Sequence, residues 1–146
     1  MRVYIGADHA GFSLKEKLKR FFPDAVDLSP ELVPGDDYPD VAEKVAEKVV
    51  KGRGRGILIC GSGVGMCMAA NKVPGGRAAL CFEASEARGA RREDDINMLC
   101  LPGRLMSTRN AHEVVDAFLS TRFAGKSKSG RRFKRRLEKL KRLDER

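Results

Sequence analysis

The residues best suited to chemistry lie together in Cys60-Gly61-Ser62-Gly63-Val64-Gly65, a thiol followed by alternating glycines and a hydroxyl. Glycines at this spacing leave backbone N–H groups unobstructed, and a loop of that kind opening a helix favours an anion. Neither Gly-x-Gly-x-x-Gly nor the Gly-Lys-Ser/Thr close of a Walker loop is present, so a dinucleotide or nucleoside triphosphate site is disfavoured. The expected ligand is an anionic oxygen of a small molecule; the alternative is a tight structural turn. Cys60, at the mouth of the loop, could act as a general base in its thiolate form. On residue type alone, a packing cysteine at a strand end is the commoner reading.

Two further groups could join it. Asp8-His9 follows the apolar run Val3-Tyr4-Ile5 and supplies two titratable side chains, although Asp8 is equally a cap for the helix that starts near Gly11-Phe12. Arg132 and Arg136 are one helical turn apart and so share a face, where paired guanidinium groups suit a phosphate. The remaining basic residues of the tail read as a solvated surface.

These residues need a scaffold, and the pattern of the chain supplies one. Short apolar runs alternate with segments of helical period, as expected of a parallel sheet covered by helices. Strands are expected at Val3–Ile5, Ala25–Leu28, Gly56–Cys60, Ala78–Phe82 and Met98–Leu101. Between them fall helices with stripes at Leu14, Leu18, Phe21 and Phe22, and at Val41, Ala42, Val45, Ala46, Val49 and Val50. Three more helices are expected: from the glycine loop to about Lys72, from Glu83 to about Asp94, and from Thr108 to Thr121 with Ser107 as N-cap. The fold class is therefore α/β, a doubly wound five-stranded parallel sheet in a Rossmann-like three-layer arrangement. Residues 1–125 form its body. Gly125–Gly130 reads as a flexible linker by composition, and residues 126–146 as a linker plus basic helix. The stripe Phe133, Leu137 and Leu140 on that helix needs a partner surface, on its own body or on another subunit.

Composition narrows the function classes. The 146 residues suit one domain around a single core. The net charge of +9 is concentrated in Lys126–Arg146, where 11 basic and 3 acidic residues leave the rest of the chain nearly neutral. A nucleic-acid-binding domain more often carries its basic face on the folded body, so nucleic acid is a disfavoured partner. The longest apolar run, Gly56–Ala70, is short of a membrane span and holds four glycines. The four cysteines form no Cys-x-x-Cys pair, and the N-terminus enters a strand at once without an export signal. A cytoplasmic protein with reduced thiols is expected.

Taken together, the segments Gly6-Ala7-Asp8-His9-Ala10-Gly11-Phe12, Asp37-Tyr38-Pro39, Ile59–Gly65 and Ala69-Ala70-Asn71-Lys72 resemble the RpiB/LacA/LacB family of sugar-phosphate isomerases. Asn97, Arg104 and Arg132-x-x-x-Arg136 continue the resemblance almost end to end. It implies metal-free and cofactor-free interconversion of an aldose phosphate and its ketose through a cis-enediolate, with ribose 5-phosphate and ribulose 5-phosphate as the expected pair. Another four- to six-carbon sugar phosphate, or binding without turnover, are the alternatives.

By the same resemblance Cys60 is the base, and Asp8 and Ser62 move hydroxyl protons. The amides from Gly61 through Ser62, Gly63 and Val64 to Gly65 hold developing charge, and Tyr38 walls the sugar pocket. His9, Arg104, Arg132 and Arg136 take the phosphate. The family often carries Arg-x-His-Asn before its last strand; here Glu93 and Asp94 occupy the His-Asn positions and are expected to replace them. Phe133 stands where a histidine is common, and Met66 where the other branch of the family has a glutamate base. The resemblance also implies a homodimer or dimer of dimers whose sites are shared between subunits, giving the last helix its partner.

Overall fold

The computed structural model describes residues 1–146. Five strands, β1 (Val3–Ala7), β2 (Val26–Asp27), β3 (Arg55–Cys60), β4 (Ala78–Leu80) and β5 (Met98–Pro102), form one parallel sheet in the order β2-β1-β3-β5-β4. Five helices follow the strands: α1 (Phe12–Lys19), α2 (Tyr38–Gly52), α3 (Val64–Ala70), α4 (Ala84–Asp94) and α5 (Thr108–Ser120). A sixth, α6 (Arg131–Lys141), closes the chain.

The central strands carry Ile57-Leu58-Ile59 and Met98-Leu99-Cys100-Leu101, all fully buried, because a parallel strand packed on both faces must be apolar on both. Side chains alternate between the faces. Ile57, Ile59, Leu99 and Leu101 point toward α1, α4 and α5, where they meet Leu14, Leu18, Ala87, Val114 and Phe118. Leu58, Cys60, Met98 and Cys100 point toward α2 and α3, against Val45, Val49, Met66 and Ala70. The sequence periodicity of α2 is met by Ala42, Val45, Ala46 and Val49, which are buried. Ser107 caps α5 as expected, its hydroxyl accepting from the Asn110 amide at 3.1 Å. Glu83 and Glu86 close a capping box on α4.

Several expectations are corrected. The helix after β1 stops at Lys19, so Phe21 falls outside its stripe; it is exposed and stacks on His112 with ring centroids 4.2 Å apart. The helix after the glycine loop ends at Ala70, where the Asn71 side chain instead pairs with both backbone groups of Ala78 and clamps the start of β4. β4 is shorter than expected, and Phe82 lies outside it. Gly125–Gly130 is not an open linker. It winds into two 3-10 turns, Ala124–Lys126 and Lys128–Gly130, with Gly125 and Gly130 buried, and Gly130 sits against the Ala124 carbonyl where no side chain fits.

The stripe on α6 divides. Phe133 and Leu137 are buried where the helix packs on α4 and the Ala124–Lys126 turn of the same chain, whereas Leu140 and Leu143 are exposed. One charge lies deep in the body. The Lys15 ammonium is fully buried and donates to both Asp27 oxygens at 3.0 and 2.8 Å and to the Ser29 carbonyl at 2.5 Å. It ties α1 to β2, a strand only two residues long.

Candidate active site

In an open parallel sheet, the crevice for a ligand lies where the connections from neighbouring strands diverge, outside the carboxyl ends of the strands. Here that point falls between β1, which runs on to one edge of the sheet, and β3, which runs on to the other. Asp8 follows β1 and Cys60 ends β3. The strand ends are tied together by backbone hydrogen bonds: Asp8 N–H to the Ile59 carbonyl at 3.3 Å, Gly103 N–H to the Cys60 carbonyl at 2.7 Å, and Arg104 N–H to the Gly61 carbonyl at 3.0 Å.

Cys60 faces the α2–α3 side of the sheet and is only 4% exposed, but its sulfur is not lost in the apolar layer. The Gly63 amide donates to Sγ at 3.1 Å, so the thiol is held against the glycine loop. That geometry depends on Gly63, whose φ of +78° lies in the left-handed region and whose β-carbon would come within 2.5 Å of Leu80 Cδ1. Ser62 projects to solvent, its hydroxyl accepting from the Val64 amide at 3.3 Å, and the amides of Val64 and Gly65 open α3.

Two other predicted residues close on the loop from either side. A β-carbon at Gly65 would lie 2.6 Å from the Tyr38 ring, and one at Gly61 would lie 2.9 Å from Arg104 Nη1. The ring and the guanidinium therefore flank the loop, both at the exposed surface. Asp8 is buried, and its Oδ1 accepts from the Ala10 and Gly11 amides at 3.0 Å each. This is the capping role, and Oδ1 alone performs it.

His9 is held by a residue that the sequence did not mark. Asp36 Oδ1 accepts from the His9 amide at 2.8 Å and lies 2.9 Å from its Nδ1. Asp8, His9 and Asp36 bring ligand atoms within 4.8 Å of one another, the spacing of a metal site. Hydrogen bonds to the turn already engage one oxygen of each carboxylate.

The structure does not bring the other predicted residues to this rim within one chain. Glu93 and Asp94 end α4 just before β5, at the edge where strands begin, whereas Cys60 pairs in register with the last residue of β5, Pro102. At about 3.3 Å per residue, the length of β5 separates them from the thiol. Arg132 and Arg136 are exposed on α6, and the 3-10 turn that follows it, Arg142–Glu145, is anchored to the same far edge by Asp144 accepting from the Gly75 amide at 2.8 Å. Within one chain the residues expected at the site thus fall into two groups, Asp8, His9, Tyr38, Cys60–Gly65 and Arg104 at one end of the sheet, and Glu93, Asp94, Arg132 and Arg136 toward the other.

Fold and site define a doubly wound α/β protein with a thiol and an amide-lined loop at its switch point. The chain belongs to the Ribose/Galactose Isomerase family, which matches residues 3–140. It is 42% identical over 151 residues to the probable ribose-5-phosphate isomerase B of Mycoplasma genitalium, covering 97% of this chain and 95% of that one. The structure of ribose-5-phosphate isomerase B from Mycoplasma genitalium with bound ribulose 5-phosphate superposes with a TM-score of 0.90 at 40% identity, covering 99% and 96% of the two chains. That of ribose-5-phosphate isomerase B from Clostridium thermocellum gives a TM-score of 0.92 at 37% identity, covering 99% and 98%. No helix is long and apolar enough to cross a membrane.

Proposed function

We propose that this protein interconverts ribose 5-phosphate and ribulose 5-phosphate by proton transfer through a cis-enediolate, with Cys60 as the base. The observation that carries the reading is the Cys60 sulfur held by the Gly63 amide at the mouth of a loop flanked by Tyr38 and Arg104. Membership of the family and the relative solved with ribulose 5-phosphate support the substrate pair.

The chemistry accounts for the residue types. In the open-chain aldose, the Cys60 thiolate removes the proton on C2, and the electron pair moves to make the enediolate while negative charge gathers on the former carbonyl oxygen O1. Loop amides at Gly61, Ser62 and Gly65 are available to that charge, whereas those of Gly63 and Val64 are engaged by Cys60 and Ser62, and donors fixed in place cost no reorganisation as it develops. The proton returns from the thiol to C1, and the O2 hydroxyl loses its proton as O1 gains one, which leaves the ketose and the starting thiolate. Asp8, through the oxygen not engaged in the turn, and Ser62 are suited to the hydroxyl transfer. Tyr38 would bound the sugar, and His9 and Arg104 would face the phosphate.

The second group is a half-site in the same reading. Glu93, Asp94, Arg132 and Arg136 would reach a thiol only on a neighbouring copy, so the active unit would be a dimer, or a dimer of dimers, with sites shared between subunits. Exposed Leu140 and Leu143 at the end of the last helix support burial on a partner. Residues 126–146 would then complete the domain and contribute to the neighbour's site. A sugar-phosphate substrate and four free thiols fit a cytoplasmic location.

The test is an isomerase assay over a panel of four- to six-carbon aldose phosphates in deuterated water, with and without a chelator. Turnover is expected to be highest with ribose 5-phosphate, to carry solvent deuterium into the product, and to be unaffected by chelation. Saturable substrate binding with no exchange at C2 would reduce the protein to a binder.

A further inference from the structure

The edge of the sheet where strands begin, opposite Cys60, holds a cavity of about 1320 Å³. Its walls come from the start of β3, the turn before β4, the end of α4 and the segment after α5. Their charge is one-sided: seven basic residues against a single acid, Asp95. Asp95 is already shared, with Arg77 Nη2 at 3.3 Å on one oxygen and Arg91 Nη1 at 2.9 Å on the other.

Arg55 pairs with no carboxylate. Its one hydrogen bond is from Nη1 to the Gly54 carbonyl at 3.2 Å, leaving the rest of its five N–H donors without a protein acceptor. Burial and the neighbouring Arg91, with a further contribution from Arg77, push the Arg55 guanidinium below its ordinary value, and Asp95 offsets this only in part. Arg53, Arg122 and Lys126 add exposed positive charge around the mouth. Helices α2, α4 and α5 also end at this edge, but a helix C-terminus is worth roughly half a negative charge. Three of them leave most of the excess unbalanced.

We propose that this cavity is a second ligand site, for a small polyanion carrying at least two phosphoryl groups. The volume exceeds the roughly 300–1,000 Å³ typical of small-molecule sites, so such a ligand fits with room for water. Planar guanidinium groups suit phosphoryl oxygens. Arg55, Arg77 and Arg91 are recessed rather than set along a protruding face, which favours a compact ligand over a nucleic-acid strand. The site shares no residue with the Cys60 rim or with Glu93, Asp94, Arg132 and Arg136, although its Arg91 and Asp95 flank Glu93 and Asp94 in the chain.

Inorganic pyrophosphate is the probe, titrated calorimetrically into the full-length protein near physiological ionic strength. Saturable binding is expected, weakened at least tenfold in Arg55→Gln and largely kept in Arg55→Lys and Arg104→Gln. Saturating ribose 5-phosphate should not displace it, and ribose 5-phosphate isomerisation should stay within about twofold of the parent in Arg55→Gln, since Arg55 belongs to neither set of residues assigned to the sugar phosphate and lies at the opposite end of β3 from its own chain's thiol. Hydrogen exchange on the parent protein gives a readout free of any folding defect, with slowing expected at residues 53–56, 75–77 and 121–127. No saturable binding, equal affinity in Arg55→Gln, loss in Arg104→Gln, or protection confined to the Cys60 loop would overturn the proposal. So would an oligoribonucleotide that outcompetes pyrophosphate, because the ligand would then be a polymer.

Discussion

At the scale of single residues, two thiols some seven positions apart have different fates. Cys60 is almost sealed from solvent, and what distinguishes it from a packing cysteine is the amide aimed at its sulfur. Replacing it with alanine removes the proposed base while adding little strain to the layer around it. We expect Cys60→Ala to lower turnover by about 10²- to 10⁴-fold, the usual share of a general base, with an unchanged circular dichroism spectrum. A mutant with parental turnover would remove Cys60 from the mechanism. Cys67 lies on α3 and is half-buried, and a hydrogen bond with Cys100 draws its thiol down to about 7; burial opposes this, and the Leu80 and Asn71 amides assist. Burial pushes Cys81 up to about 12, with Glu86 adding to it, while the bond with Cys67 and burial raise Cys100 well above the ordinary range. Iodoacetamide should therefore label Cys67 well before Cys81 or Cys100. The rate should climb as pH rises through about 7 and then level off, because the thiolate is the reacting form. Peptide mass mapping of the parent and of Cys67→Ser checks the assignment.

At the scale of elements, the weakest strand is held by the most deeply buried charge. β2 gains much of its attachment from Asp27, whose carboxylate receives Lys15 and Lys19 at 2.8 Å each on Oδ2. Burial alone would raise the Asp27 carboxyl, but hydrogen bonds from Lys15, Lys19 and the Ser29 amide outweigh it and hold it below the ordinary carboxylate value. A carboxylate depressed in the folded state binds a proton more readily when unfolded. Its contribution is thus complete above the unfolded value and is lost as pH falls through the folded one. Urea unfolding should show the parent losing stability below about pH 4 more steeply than Asp27→Asn. Lys15→Met, which takes the buried partner from Asp27 but leaves Lys19 on it, should cost about 1.5–3 kcal/mol at neutral pH, the share of a hydrogen bond to a charged group. Equal acid slopes in parent and Asp27→Asn would assign the acid sensitivity to other groups.

At the scale of the whole molecule, the two proposed half-sites make a prediction that no single-chain site would share. Cys60→Ala should be inactive, and so should a chain carrying Arg132→Gln and Arg136→Gln. Unfolded together and refolded as an equal mixture, they should recover about a quarter of parental activity. Half of randomly paired dimers are mixed, and each mixed dimer has one intact site. A mixture as inactive as its components would mean that each chain carries its whole site.

The sequence by itself determined the local parts: the glycine loop on a buried strand, the helix faces, the Ser107 cap and the Asp8 turn. Each is encoded within a few residues, by period, by glycine spacing or by a side chain reaching its own backbone. Tertiary structure alone decided which of these parts meet. Asp36 reaches His9 across 27 positions of chain, and nothing local announces it. Likewise, Glu93 and Asp94 lie close to β5 in sequence but at the end away from Cys60, because parallel strands start at one edge and finish at the other. Gly125–Gly130 has a linker's composition yet winds into two 3-10 turns pinned by a buried glycine at each end, since small residues permit close packing as readily as freedom. The one-sided charge of the cavity was no more legible, as Arg55, Arg77 and Arg91 come from three separate segments that only the sheet order brings together.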